Sequence, residues 1–322
     1  MLLSPADLAV SPDHFLHSFE GEDAIIVPMD AAAYRRSIFL DRRISPAAGE
    51  AVALPAAALP QPAAPLPLGW IFHMAHCGST LLARALGELG ENLVLREPFA
   101  LRQLAFEPDQ ERLSATLGLL ARRYNPDAPT VVKANVPVNF LLPAITAHDP
   151  DARAIMLYCE LPDYLLAIMR SDNHRGWLRN VTSQLAPYLG DLAAFSDAER
   201  AAALWLAQMR RFIAALEAMP RMRSLDAEAF FALPAATLAA VAGQLGVCAA
   251  PGAITALASG PLFATYSKNP ALAFDNVARV ARRDLLRSSL AGELAAARRW
   301  LEAQGADEDG IAQALRASAL SV

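Results

Sequence analysis

The segment His73–Leu86, HMAHCGSTLLARAL, sets two histidines, a cysteine, a glycine and two hydroxyl side chains in the turn between an apolar run and a helical pattern. A strand that turns sharply into a helix presents several backbone N–H groups, together with the positive end of the helix dipole, to an anion. Gly78 lets the backbone approach a phosphate closely, and Ser79 and Thr80 add hydroxyl donors. His76 supplies positive charge only when protonated. Cys77 falls at the helix N-terminus, where a thiolate is stabilised, although its small size accounts for it equally well. The full nucleotide-kinase signature needs a lysine before the hydroxyl pair, and here Gly78 stands in that place and His73 in that of the first glycine. Two more charges end apolar runs nearby in the pattern: Glu97 after NLVLR, and Lys133 in TVVKA, where a charge is costly unless something pairs with it.

Such residues need a sheet whose strand ends converge. GWIFHMA, NLVLRE, TVVKA and AIMLYCE are short and suited to buried strands, and each precedes a longer helical stretch. The alternation predicts an α/β fold: a three-layer, P-loop-type, mostly parallel sheet with helices on both faces, plus a helical C-terminal part. Ser196 and Glu199 have capping-box spacing at the start of a long helix whose Trp205, Met209, Phe212 and Leu216 share one face. Residues 44–68 are rich in Pro and Ala without period and read as a connector. It sets off an N-terminal unit with AIIVPM as a strand and AAAYRRSIFLDR as a helix, giving an extension over 1–60 and a single domain over 61–322.

Composition narrows the function. A net charge of −5 opposes broad nucleic-acid or anionic-membrane binding, and the arginine pairs, such as Arg122-Arg123 and Arg282-Arg283, read as solvated helix faces. No apolar run approaches the roughly 18 residues of a membrane span. The start shows no basic region before an apolar block, so no leader is expected. Three cysteines with no CxxC pair suggest neither a disulfide framework nor zinc, and fit a reduced cytoplasm.

Residues 69 to 247 resemble the sulfotransferase superfamily in four segments taken in order. FHMAHCGSTLLARALGELGENLVLREP resembles its 5'-phosphosulfate loop, P-[RK]-S-G-[ST]-T, with the Glu-Pro that follows the second strand. VVKANVP is similar to its K-T-H-x-P strand end, AIMLYCELPDYLLAIM to its R-x-P-x-D-x-x-x-S segment, and MRSLDAEAFFALPAATLAAVAGQLGV to its late strand-Pro-helix element. The resemblance implies transfer of a sulfonate from 3'-phosphoadenosine-5'-phosphosulfate to a hydroxyl or amine of a small-molecule acceptor, with no metal. Departures stand at His76 for the loop cation, Asn135 for the catalytic histidine, and Glu160 and Ile168 for the Arg and Ser that hold the donor's 3'-phosphate.

Sulfuryl transfer asks for an anion cradle, cationic stabilisation of the sulfonate oxygens, and a base. On this reading Glu97 is the base, Lys133 and His76 serve the transferring group, and Cys77, Gly78, Ser79 and Thr80 cradle the phosphosulfate. Arg170, with Arg175, replaces the missing 3'-phosphate clamp. Lys268, in YSKNPALAFDNVAR, stands where the family has a basic loop that closes over the donor. The bland readings are that Glu97 pairs with Arg96 or Arg84, that Lys133 bonds Glu97 or Glu160, and that His73 and His174 are a core and a surface residue. Two other functions remain open: a Mg²⁺-dependent kinase or NTPase with Glu160 as metal acid beside Ser79 or Thr80, and a non-catalytic binding relative.

Overall fold

A computed structural model of the chain describes residues 5–62 and 67–322. Residues 1–4 of the segment read as leaderless and 63–66 of the connector lie outside them. The four apolar runs form parallel strands: β4 Gly69–His73, β5 Leu93–Arg96, β6 Thr130–Lys133 and β7 Arg153–Tyr158, numbered after the three N-terminal strands given below. A fifth, β8 Met222–Asp226, completes the order β5-β6-β4-β7-β8. Every residue of β4, β5 and β6 is buried, as a parallel sheet covered by helices requires. The register sets Arg96 beside Lys133, Ile71 beside Lys133 and His73 beside Leu157. The carboxyl ends of β4, β5 and β6 therefore open onto one crevice, the place where sheets of this kind bind ligands.

Two helix layers flank the sheet. The loop helix Ser79–Gly87 packs on β4 and β5 and against the helix Pro234–Leu245. The helix Asp197–Ala218 packs against β8 and the helices Leu142–His148, Leu161–Met169 and Asp172–Gln184. Its Ser196–Glu199 capping box is formed, satisfying otherwise orphaned N–H groups and contributing about 1 kcal/mol. Among the described residues, no helix is long and apolar enough to cross a membrane.

The N-terminal unit departs from its sequence reading in three ways. β1 His14–Glu20 and β2 Asp23–Pro28 form a hairpin, and β3 Val52–Pro55, inside the Pro/Ala-rich segment, pairs antiparallel with β2. Being mostly exposed, β3 needs no apolar alternation, so its sequence carried no strand signal. The expected helix over AAAYRRSIFLDR covers only Ala31–Arg36. Its last carbonyls are taken by Arg96, which donates to Tyr34 O, Arg35 O and Ser37 O, and the chain then runs along the end of β5. Arg122 is not on a solvated face: it is 5% exposed and donates to the carbonyls of Leu8, Ser11 and His14. One continuous core joins this unit to the sheet, from Leu8 to Leu315.

Candidate functional site

The loop after β4 is held from below. Asn139, fully buried, donates from Nδ2 to His73 O at 3.0 Å and to Gln208 Oε1 at 2.9 Å, tying the loop's first residue to the long helix. His73 Nδ1 and Cys77 Sγ both meet the carbonyl of Met74, at 2.7 and 2.8 Å. His76 takes a positive φ of 63°, and Gly78 follows at 88°. A Cβ on Gly78 would stand 2.7 Å from Phe231 Cζ, so the position has no room for a side chain. No side chain caps the loop helix at Gly78. Ser79 and Thr80 are buried at this N-terminus.

Lys133 and Glu97 come together as an ion pair, across 36 residues of sequence. Glu97 pairs neither with Arg96, which is engaged with carbonyls, nor with Arg84, which donates to Ser267 O at 2.8 Å; the pair is instead the bland alternative for Lys133, which is spent on Glu97 rather than aimed at a transferring group. Lys133 is 0% exposed and lies under Glu97, whose side chain is 16% exposed. Lys133 therefore holds Glu97, and Glu97 is the more exposed member of the pair. Burial pushes the Glu97 carboxyl up, but the charges of Lys133 and His73 and the hydrogen bond from Lys133 outweigh it and hold it below the ordinary value. Glu97 also has a positive φ of 58°; among the described non-glycine residues only it and His76 do, and both border this crevice.

Lys268 is a cation whose charge acts on the loop. It occupies the turn between β9 Thr265–Tyr266 and β10 Asn269–Ala273, and Arg84 fastens that turn to the loop helix through Ser267. Lys268 keeps solvent access, yet nearby protein and then the charge of Lys133 lower its pKa, and its own charge acts on His73, His76, Cys77 and Glu97. His76 is not a cation here: desolvation, then Lys268, His174 and Arg170, hold its pKa well below the usual value. Cys77 is likewise a thiol rather than a thiolate, because burial raises its pKa.

Other positions sort themselves by contact. Arg170 donates to His174 Nδ1 at 3.0 Å, and the His174 ring meets His76 at 4.2 Å, so both join the rim of the loop. Arg175 does not: it is consumed by Asp197 and Glu293. Glu160 is exposed at the start of the helix Leu161–Met169, and its charge acts on Tyr158 and Asp226. Sequence reasoning set His73 aside as a satisfied core residue. It is 5% exposed, its Nε2 has no partner, and burial followed by Lys133 lowers its pKa to about 3. His76 Nε2 and Asn135 Oδ1 also lack partners, three buried polar atoms without a bond at one strand edge. Among the described residues, no three His, Cys, Asp or Glu side chains gather as metal ligands.

Two solved sulfotransferases resemble this chain. One, from Alicyclobacillus acidocaldarius, is 14% identical over 74% of this chain and 95% of its own, with a TM-score of 0.39. The other, the sulfotransferase domain from the curacin biosynthetic pathway, is 12% identical over 65% of this chain and 83% of its own, with a TM-score of 0.41. Likenesses this distant say nothing of activity; the α/β architecture rests on the strand order and register. No protein-family model and no curated protein matches the sequence.

Proposed function

We propose that the protein is a sulfotransferase-like enzyme of the cytoplasm that moves the sulfonate of 3'-phosphoadenosine-5'-phosphosulfate to a hydroxyl or amine of a small molecule. The observation that supports this reading is the grouping of an uncapped helix N-terminus, opened by Gly78, with Lys268 and the Lys133–Glu97 pair. The loop N–H groups and Ser79 and Thr80 hold the anion. Lys268 stabilises charge on the sulfonate oxygens, and Arg170 serves the nucleotide side. Glu97 takes the proton of the acceptor as its oxygen or nitrogen attacks sulfur; the sulfur–oxygen bond to the nucleotide breaks, and 3'-phosphoadenosine-5'-phosphate leaves with the electron pair. Lys133 keeps Glu97 ionised and ready to accept that proton.

The first test is a thermal titration with 3'-phosphoadenosine-5'-phosphate, ADP and ATP, each with and without Mg²⁺. The bisphosphate alone, at 100 times its dissociation constant, is expected to stabilise the fold by about 2.7 kcal/mol; preference for ATP with Mg²⁺ replaces the reading with a kinase or NTPase. Glu97→Gln is expected to lower sulfonate transfer to a panel of phenols, alcohols and amines by at least about 100-fold. Bisphosphate binding stays intact, and unchanged turnover refutes the base.

A further inference from the structure

A second group of cations stands near Glu97, and the sulfonate reading leaves it without a role. The turn after the helix Ala31–Arg36 builds it. Leu40 N–H donates to Arg96 O at 2.7 Å and Phe99 N–H to Leu40 O at 3.1 Å, which stitches this turn to the strand end beside Glu97. The Phe39 ring has Arg43 at 4.0 Å and Lys133 at 5.6 Å from its centroid. Arg42 lies 5.6 Å over Phe99, and Arg102, on the helix Phe99–Phe106, donates to Gln184 Oε1 at 2.9 Å. Glu97 acts electrostatically on Arg43 and Arg102, whereas the charges acting on His76 come from Lys268, His174 and Arg170. Glu97 thus lies among two groups of cations, Lys268 on one hand and Arg43 with Arg102 on the other.

In a chain of net charge −5, Arg42, Arg43 and Arg102 stand near two carboxylates that are both engaged, Asp41 by Nε and Nη2 of Arg43 and Glu97 by Lys133, so Arg42 is the guanidinium left to lead the group. Arg42 is exposed and makes no ion pair among the described residues. Guanidinium groups beside aromatic faces favour planar oxyanions, which they bind by paired hydrogen bonds.

We propose that the Arg42–Arg43–Arg102 group binds an oxyanion carried by the acceptor, so that the enzyme sulfonates an anionic substrate. This rests on the sulfotransferase reading, and one calorimetric experiment separates the two. The protein is titrated with 4-hydroxybenzoate and with its neutral counterpart 4-hydroxybenzamide, in the presence of 3'-phosphoadenosine-5'-phosphate. The carboxylate is expected to bind at least about tenfold tighter than the amide. Arg42→Glu, at an exposed position, abolishes that preference while bisphosphate affinity stays within twofold. Equal affinity for the two probes, binding of neither, or a preference that survives Arg42→Glu overturns the proposal. Loss of bisphosphate binding with the carboxylate preference intact overturns the sulfonate donor alone.

Discussion

Arg96 and Arg122, where the N-terminal unit meets the sheet, are as deeply buried as His73 and Asn135 at its carboxyl edge, with 4% and 5% exposure against 5% and 6%. The arginines are well partnered: Arg96 donates to Tyr34 O, Arg35 O and Ser37 O, and Arg122 to the carbonyls of Leu119, Leu8, Ser11 and His14. At the edge, His73 Nε2 and Asn135 Oδ1 have no partner, and the backbone is held at positive φ at His76 and Glu97. A buried charge bonded to carbonyls of another segment locks two parts of a chain together. Buried polar atoms left without bonds cost stability, roughly 1–3 kcal/mol each, and make sense where a ligand completes them. The difference contrasts a joint with the loop edge, although Asn92 Oδ1 and Arg283 Nε, which lie outside the loop, lack partners too.

Three measurements press on that contrast. Lys133→Met leaves Glu97 beside the sheet without its counter-charge, and denaturant unfolding is expected to show a loss of about 3–5 kcal/mol; a loss under about 1 kcal/mol would mean Glu97 finds another partner and the pair is no fixed unit. Arg122→Met strips carbonyls of their donor and is expected to cost about 3 kcal/mol, with bisphosphate affinity of the folded protein unchanged. A matching loss of affinity would erase the line between joint and site. His73 gives the smallest signal. An unfolded imidazole takes up its proton near 6.5, whereas native His73 does so only near 3, so between these values the unfolded state holds more protons and stability falls as pH falls. The expected slope from this residue is up to about 1.4 kcal/mol per pH unit, and His73→Gln should flatten the curve between pH 6.5 and 4.5 by that amount. A curve identical to the wild type would show that His73 is solvated rather than waiting on a ligand.

Much of the frame was legible residue by residue. Four apolar runs became four adjacent strands because buried parallel strands carry continuous hydrophobicity. Ser196 and Glu199 formed their box because capping is local. Gly78 takes a positive φ in the turn, while the Phe231 ring that crowds it comes from a distant segment that its place in the turn did not announce. The strand β3 was hidden because an exposed edge strand has no pattern to show, and Arg122 looked like surface because its acceptors are backbone groups more than a hundred residues away.

Within the site, the sequence placed Glu97, Lys133 and the loop at strand ends, since the strand pattern fixes which residues reach the edge. It also marked Lys268 through the resemblance alone. Only the tertiary structure decided how they divide the work. Whether His76 carries charge, whether Lys133 meets a ligand or Glu97, and whether His174 and the Arg42–Arg43 turn belong to the crevice all depend on burial and on charges brought in from distant segments. Residue type and spacing set which groups a chain owns and which edge they occupy. Desolvation and Coulomb interaction, which act through space, set what those groups are when they arrive.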